Sequence, residues 1–236
     1  MWVAAIGCIV ALTGCTTGGF DSLPAVPRPH TAELDRHGQQ TAELDVVSGA
    51  ATLSVAAAPL GGQLLRAWTP AGSGIRPDLV AAGSVQLFLD STGHSGPAAV
   101  RVVLNSAVRW SLRFSGGASQ TSVSLAKGML GGADFTAGSS LITMSMPRPR
   151  GTVTVTLAGG ASQVSLAVPA GVPARLRLDG GASTATIGGH TYTGLAGGTV
   201  LAAPGWAQAA NRYDIDAPAG VSAITVSAAA AIASDG

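Results

Sequence analysis

The middle of the chain repeats one small-residue segment four times: Gly116-Gly117-Ala118-Ser119, Gly138-Ser139-Ser140, Gly159-Gly160-Ala161-Ser162 and Gly180-Gly181-Ala182-Ser183. The final serines of these segments lie 21, 22 and 21 residues apart. A constant spacing of this kind is the sequence signature of a repeat architecture. We therefore start from the stretch 110–187 to predict the fold of the whole chain.

Two stretches of alternating apolar residues flank each segment. In the third unit they are Val153, Val155 and Leu157 before the serine, and Val164, Leu166 and Val168 after it. Alternation with a period of two predicts strands that each bury one face. The same positions before the serine of the second unit are Gly131, Ala133 and Phe135, which are expected to point inward.

A unit of two strands and one glycine turn cannot bury its apolar face alone, but a stack of such units can. The sequence therefore predicts an all-β fold, a parallel β-solenoid with coils of about 21 residues. An antiparallel sandwich with Gly-rich hairpins is the alternative, and the constant register of both strands favours the solenoid. A column of stacked serines and an inward apolar column beside it are expected: Ser119, Ser140, Ser162 and Ser183; Leu112, Ala133, Val155 and Leu176.

The same pattern extends beyond the regular units, which predicts a solenoid domain over residues 41–226. One coil surrounds Ala51 and a last coil surrounds Ser222, while less regular strands are expected at 63–68, 85–89 and 100–104. Outward positions of neighbouring coils carry opposite charges, so Arg113 is expected to approach Asp134. If the last coil packs on the fourth, two further pairs are expected: Arg175 with Asp214, and Arg177 with Asp216. Residues 227–236 are predicted to be a disordered tail.

Composition limits the classes of partner. The 236 residues include 33 glycines, with 4% aromatic and 11% charged residues, so the interior must consist of small aliphatic side chains. The net charge is +1. A charge this close to zero gives no overall field that would attract nucleic acid or an anionic membrane surface, and neither partner is predicted.

The N-terminus has the features of an export signal. Residues 1–14 carry no charged side chain and contain an apolar run followed by small residues, which predicts a signal peptide. The segment Leu12-Thr13-Gly14-Cys15 resembles the lipobox of bacterial lipoproteins. This resemblance implies that Cys15 carries a lipid and anchors the protein outside the cell membrane. Residues 15–40, with prolines at 24, 27 and 29, are then expected to form a flexible tether.

The repeat is interrupted between Gly188 and Asn211 by a Gly-rich stretch that holds His190, Tyr192 and Trp206. These three residues are the candidate partner-binding loop. The alternative is a lid that covers the exposed end of the stack.

No catalytic or metal-binding pattern emerges from the regular coils. Their two acids, Asp134 and Asp179, are expected about 12 Å apart, beyond the spacing of roughly 5–9.5 Å that glycosidase carboxylates use. His30 and His37 have no partners at metal-ligand spacing. We therefore predict a protein that is not an enzyme and has no cofactor.

The order of the pieces resembles the toastrack-type domains of bacterial envelope proteins, which include adhesin-like domains and the C-terminal domains of cell-wall-active antibiotic response proteins. The residues that carry this resemblance are the Gly-Gly-Ala-Ser segments at 116, 159 and 180, and the stretch from Tyr213 to Val226. The resemblance implies a right-handed solenoid with a less regular N-terminal strand layer. It also implies a non-catalytic binding, adhesion or structural module with an envelope protein or cell-wall partner. A carrier of a lipid or small apolar ligand and a glycan-active β-helix enzyme are the alternatives.

Overall fold

The computed structural model describes residues 28–229, which form nineteen strands and one short 3₁₀ helix, Trp206–Gln208. The first nine strands are β1 His30–Asp35, β2 Thr41–Val46, β3 Ala50–Ala58, β4 Gln63–Thr69, β5 Ile75–Ala82, β6 Ser84–Ser91, β7 Ala99–Asn105, β8 Arg109–Phe114 and β9 Ala118–Ser124. The others are β10 Met129–Phe135, β11 Ser139–Ser145, β12 Thr152–Leu157, β13 Ala161–Val168, β14 Ala174–Leu178, β15 Ala182–Ile187, β16 His190–Leu195, β17 Thr199–Ala202, β18 Arg212–Ala217 and β19 Val221–Ala228. The predicted signal peptide, Cys15, the tether up to residue 27 and the tail from residue 230 lie outside the described residues. The tail predicted for 227–236 begins too early, because Ser227 and Ala228 belong to β19.

The strands form two sheets of ten and nine strands. Seven times, two strands that follow each other in the chain lie one in each sheet. Within each sheet, the strands of neighbouring pairs run parallel. Each pair is therefore one coil of a solenoid whose two sheets enclose the core. The predicted all-β solenoid fold is confirmed.

The coils do not stack in chain order. The coil β2–β3 lies between β6–β7 and β8–β9, and the last coil, β18–β19, lies between β12–β13 and β14–β15. Predicting direct stacking of Ser162 on Ser183 was wrong, because β19 separates their strands. The register itself is as predicted: Val155 and Leu176 both align with Ile215 of the inserted strand.

A tight hairpin explains the insertion. Gly188 and Gly189 both have positive φ, 60° and 82°, which suits a two-residue turn between antiparallel strands. The chain therefore folds back, and β16 pairs with the outer edge of β15 while β17 pairs with the outer edge of β14. Since those edges are occupied, the last coil pairs with the inner edges.

Antiparallel strands also close the N-terminal end. β5 pairs with β6, β4 pairs with β7, and β1 pairs with β4. The tether predicted for 15–40 thus reaches too far, because residues 30–35 already belong to the ten-stranded sheet. The sequence shows an alternation in this stretch, but its ten-residue duplication does not match the period of the coils.

Buried columns fill the space between the sheets. The two largest of these side chains each have an alanine as one register neighbour: Trp110 aligns with Ala42, and Tyr213 aligns with Ala174. Trp110 and Tyr213 are fully buried, and each satisfies its polar atom by donating a hydrogen bond to a backbone carbonyl. A carrier of apolar ligands would need an internal cavity in the space that these side chains fill.

The predicted inward position of Gly131 was wrong, because β10 has a bulge at this residue. The register shifts between Leu130 and Gly132, so that Leu130 aligns with Trp110 and is 3% exposed. Gly131 is the extra residue. The alternation in the sequence placed Gly131 inward because it assumed that β10 pairs with β8 without an extra residue.

Glycine is required at the turns because neighbouring backbones come close together there. A Cβ atom on Gly116 would lie 2.2 Å from the carbonyl oxygen of Ser48, and one on Gly159 would lie 2.1 Å from the carbonyl carbon of Ala137. Any other side chain would force the coils apart at these positions. The repeated glycines are thus explained by the stacking of the coils.

Candidate binding surfaces

Seven of the ten strands of the larger sheet carry only uncharged side chains on their outer side. Over β3, β9, β11, β13, β19, β15 and β16, none of the outward residues of the described structure is Asp, Glu, Lys or Arg. The central row consists of seven hydroxyl residues, one from each strand: Ser54, Ser122, Thr143, Ser165, Thr225, Thr186 and Thr191. At about 4.8 Å per strand the row is about 29 Å long. We call this surface the hydroxyl face.

A groove of about 510 Å³ lies at the N-terminal end of the hydroxyl face. Its walls include Ser54, Ser122, half-buried Trp68 and exposed Arg101, which is the cross-strand neighbour of Trp68. The groove therefore combines an aromatic ring, a guanidinium group and several hydroxyls, the mixture of one apolar surface and a few polar groups that binding sites use. Trp68 and Arg101 were not predicted as site residues. Their outward position in strands was visible in the sequence, but their proximity depends on the pairing of β4 with β7.

The outer side of the nine-stranded sheet is charged, and its charges pair across coils. Arg175 donates two hydrogen bonds to the carboxylate of Asp214, one of them 2.8 Å long, and Arg177 lies 3.6 Å from Asp216. Both predicted pairs are confirmed. The predicted pair Arg113 with Asp134 was wrong: the two are register neighbours, but Arg113 is 4.0 Å from Asp45 on its other side. The hydroxyl of Ser115 bridges that pair by donating to Asp45.

The surroundings of Arg175 and Asp216 in this charged row change their pKa values. The hydrogen bonds to Asp214 raise the pKa of the Arg175 guanidinium. Burial, reinforced by the negative charge of Asp214, raises the pKa of the Asp216 carboxyl. The Oδ1 atom of Asp216 is buried and has no hydrogen-bond partner in the described structure. Ionised Asp216 is therefore poorly stabilised even beside Arg177.

The structure separates the three residues of the candidate partner-binding loop. His190 and Tyr192 lie on β16, at the edge of the ten-stranded sheet, and Tyr192 is 40% exposed. Trp206 is in the 3₁₀ helix, and its ring packs against Arg175 and Arg212, which belong to strands of the other sheet. The two strands of this segment, β16 and β17, cover the coil β14–β15 at the end of the stack, the arrangement expected of a lid. A binding role for the three residues stays a prediction.

Trp206 contributes to the packing of the charged side of the stack. Its indole nitrogen donates a hydrogen bond of 2.7 Å to the carbonyl of Tyr213, and the guanidinium carbons of Arg175 and Arg212 lie 3.9 and 4.4 Å from its ring centroid. These contacts orient the arginine that binds Asp214. Trp206 thus supports the junction between β14 and β18.

The acids of the regular coils lie farther apart than predicted. Asp134 is on β10 and Asp179 follows β14, and three strand spacings separate β10 from β14 because β18 is inserted. Three spacings correspond to about 14 Å. Among residues 28–229, no three His, Cys, Asp or Glu side chains come together as a metal site would require. Within the same residues, no helix is long and apolar enough to cross a membrane.

Comparisons with known proteins identify the fold. No protein-family model matches the chain, and no curated protein matches it. Among solved structures, a "putative cell adhesion protein" from Clostridium sporogenes aligns over 86% of this chain and 100% of its own, with a TM-score of 0.63 and 15% identity. A "putative adhesin" from Bacteroides fragilis covers 84% of this chain and 97% of its own at 9% identity, but its TM-score of 0.25 is too low to indicate a shared fold. The first likeness shows a shared fold.

Proposed function

We propose that this protein is a non-catalytic, adhesion-type binding module that is held outside the cell membrane by a lipid on Cys15. The hydroxyl face carries the proposal, because it is a long, flat, uncharged surface that the solenoid does not use for its own packing. The fold shared with a protein named for cell adhesion supports the same role. The lipobox-like segment before the folded part supports the anchor.

The chemistry of the hydroxyl face favours a neutral glycan as its ligand. Each Ser or Thr hydroxyl both donates and accepts hydrogen bonds, as sugar hydroxyls do. Neither partner then needs a counter-charge. In the adjoining groove, the ring of Trp68 offers an apolar plate for the face of a sugar and Arg101 offers fixed donors. A cell-wall or cell-surface glycan is the partner that this combination fits.

Glycan capture by the full chain tests the proposal. The Cys15→Ser protein, freed from its anchor, is incubated with a panel of neutral polysaccharides. The triple variant Ser122→Ala, Thr143→Ala, Ser165→Ala removes three neighbouring hydroxyls of the central row, and its affinity is expected to be about tenfold weaker or more. The matched control removes three hydroxyls from the outer side of the nine-stranded sheet: Ser111→Ala, Thr154→Ala and Thr156→Ala.

The two triple variants separate the hypotheses. Loss of capture in the first variant and normal capture in the second supports the hydroxyl face as the binding surface. Normal capture by both variants, or no capture of any neutral glycan by the parent protein, contradicts it.

The anchor is tested by cell fractionation. The Cys15→Ser protein is expected in the soluble fraction with its fold intact, because the described strands begin only at His30. A Cys15→Ser protein that stays in the membrane fraction contradicts lipid anchoring. This result is independent of glycan capture.

A second candidate function is the capture of a protein partner by strand addition at β16. The edge strand β16 contains no Asp, Glu, Lys or Arg, and its first five residues are exposed. Uncharged, exposed edges accept an additional strand readily. Cross-linking in cells compares the parent with Thr191→Lys and Thr193→Lys; loss of a cross-linked partner in both variants supports this function, and retention contradicts it.

A further inference from the structure

A second groove, on the edge of the solenoid, has a different character from the hydroxyl face. It lies where the chain leaves the ten-stranded sheet for the nine-stranded sheet, and it has a volume of about 650 Å³. Three successive corners form its walls: residues 126–129, 146–150 and 169–170. We call it the basic groove.

The charges around the basic groove are all positive. Lys127, Arg148 and Arg150 line it and are exposed, while Arg109 and Arg212 begin the adjacent strands β8 and β18. Within residues 28–229, the five ion pairs all involve other arginines. The sequence contains no acid from residue 91 to 133 or from 135 to 178. The nearly neutral chain therefore concentrates uncompensated positive charge at one edge.

The corner Met146-Pro147-Arg148-Pro149-Arg150 holds two of these arginines on a stiff backbone. Pro147 and Pro149 are buried, whereas Arg148 and Arg150 are exposed. Arg148 precedes a proline, which restricts its backbone to extended conformations. The backbone that presents these arginines therefore loses little conformational freedom when a ligand binds.

Side chains from three other strands or loops fix the corner in place. Tyr213 donates a hydrogen bond of 2.6 Å to the carbonyl of Pro147, and Arg109 donates one of 3.4 Å to the carbonyl of Arg150. The backbone N–H of Gly151 donates to the side chain of Asn211 at 2.8 Å. The backbone that carries Arg148 and Arg150 is therefore held in one position before any ligand binds.

We infer that the basic groove binds a linear polyanion whose charges are phosphate groups. Guanidinium groups bind phosphate oxygens with two parallel hydrogen bonds, which gives both affinity and geometry. The Arg212 guanidinium is already engaged by the ring of Trp206 and by two backbone carbonyls of the 3₁₀ helix, so we count it as charge beside the groove and not as a phosphate contact. The other four cations extend over the coils from β8 to β12, two strand spacings or about 10 Å. A chain of phosphates along the groove can contact cations spread in this way better than one phosphate can. Lys127, Arg148 and Arg150 line a recess between corners, which fits a polymer chain better than the flat surface of a membrane.

Binding of inorganic polyphosphate by the full chain tests this inference. The double variant Arg148→Gln, Arg150→Gln is expected to bind polyphosphate at least about tenfold more weakly. The matched control, Arg66→Gln with Arg76→Gln, removes the same number of charges at the N-terminal end and is expected to change the affinity about twofold or less. Circular dichroism verifies that both variants fold. Lys127→Gln provides an independent variant at an exposed position of the groove.

Three outcomes would overturn the inference: no polyphosphate binding by the parent chain, equal weakening in the two double variants, or tighter binding to phosphatidylglycerol vesicles than to polyphosphate. Binding that weakens steeply as salt is raised, together with the selective effect of the groove variants, supports it. The hydroxyl-face triple variant should bind polyphosphate normally, so failure of the glycan proposal and failure of this one are distinguishable.

Discussion

The two outer sides of the solenoid differ although the same coils build both. On the nine-stranded sheet, carboxylates and guanidinium groups of neighbouring coils pair along the rows, as Arg175 does with Asp214. On the hydroxyl face of the ten-stranded sheet, the equivalent rows hold uncharged residues, mostly serines, threonines and alanines. Because each coil contributes to both sheets, charges on one side are enough to hold the register of both. The other side is then free to present a uniform surface.

This comparison gives the ion pairs a role in specificity as well as in stability. A slip of one residue would turn every apolar side chain outward and would also separate the paired charges on the nine-stranded sheet. The hydroxyl face imposes no such constraint, since a Ser or Thr side chain can lie beside the Ser or Thr of the neighbouring strand in more than one register. Mutations on the two sides should therefore have unequal effects on folding.

The largest effect is expected for Trp206→Ala. It removes the indole stack against Arg175 and Arg212 and the hydrogen bond to Tyr213, so the free energy of unfolding should fall by about 2 kcal/mol or more. Tyr192→Ala, an exposed aromatic of the same lid, should cost much less. Urea denaturation measures both. Equal effects would contradict the structural role of Trp206.

Asp214→Asn should cost about 1–3 kcal/mol, because it weakens a partly buried, doubly hydrogen-bonded pair. The neighbouring outward change Thr154→Ala, in the same row, serves as the control and should be nearly neutral. Thermal unfolding of the two variants decides the point. A neutral Asp214→Asn variant would show that the charged row does not stabilise the stack.

Asp216→Asn should instead leave the protein slightly more stable at pH 7, by less than about 1 kcal/mol. The pKa of Asp216 is raised in the folded state, so the folded protein binds this proton more tightly than the unfolded chain does. The stabilisation from the protonated carboxyl is complete below the unfolded pKa of 3.8 and is lost as pH rises through the folded pKa. The advantage of the variant should therefore vanish in acid. An advantage that grows as pH falls would contradict this sign.

The smallest effects are expected on the hydroxyl face. Ser122→Ala, Thr143→Ala and Ser165→Ala should each change the free energy of unfolding by about 0.5 kcal/mol or less, since these side chains lie at the surface. Chemical denaturation of the single variants tests the expectation. A large loss for any of them would mean that the hydroxyl row is needed for the fold, and the contrast between the two sides would disappear.

Much of the local structure was predictable because the repeat leaves a local signal. The strands of the regular units and their inward residues follow from alternation and spacing within the chain, whereas the pairing of Arg175 with Asp214 also required the last coil to pack on β14–β15. The bulge at Gly131 was not predictable, since it depends on how β10 fits against β8. The same holds for the groove at Trp68, whose walls come from β3, β4, β7 and β9 and form only when these strands pair.

Which residues form coils, and which side of each strand is buried, can be read from the sequence, because backbone geometry and the alternation of apolar residues act over a few residues. The order of the coils depends instead on contacts between strands that are far apart in the chain. A hairpin at Gly188-Gly189 occupied the outer edges of β14 and β15, and the last coil had to pair on their inner edges. Parallel strands of this repeat pair equally well with several neighbours, so the local sequence does not choose between them. The position of the last coil also places Arg212 beside the corner that carries Arg148 and Arg150. The net charge of +1 did not indicate this local concentration of positive charge.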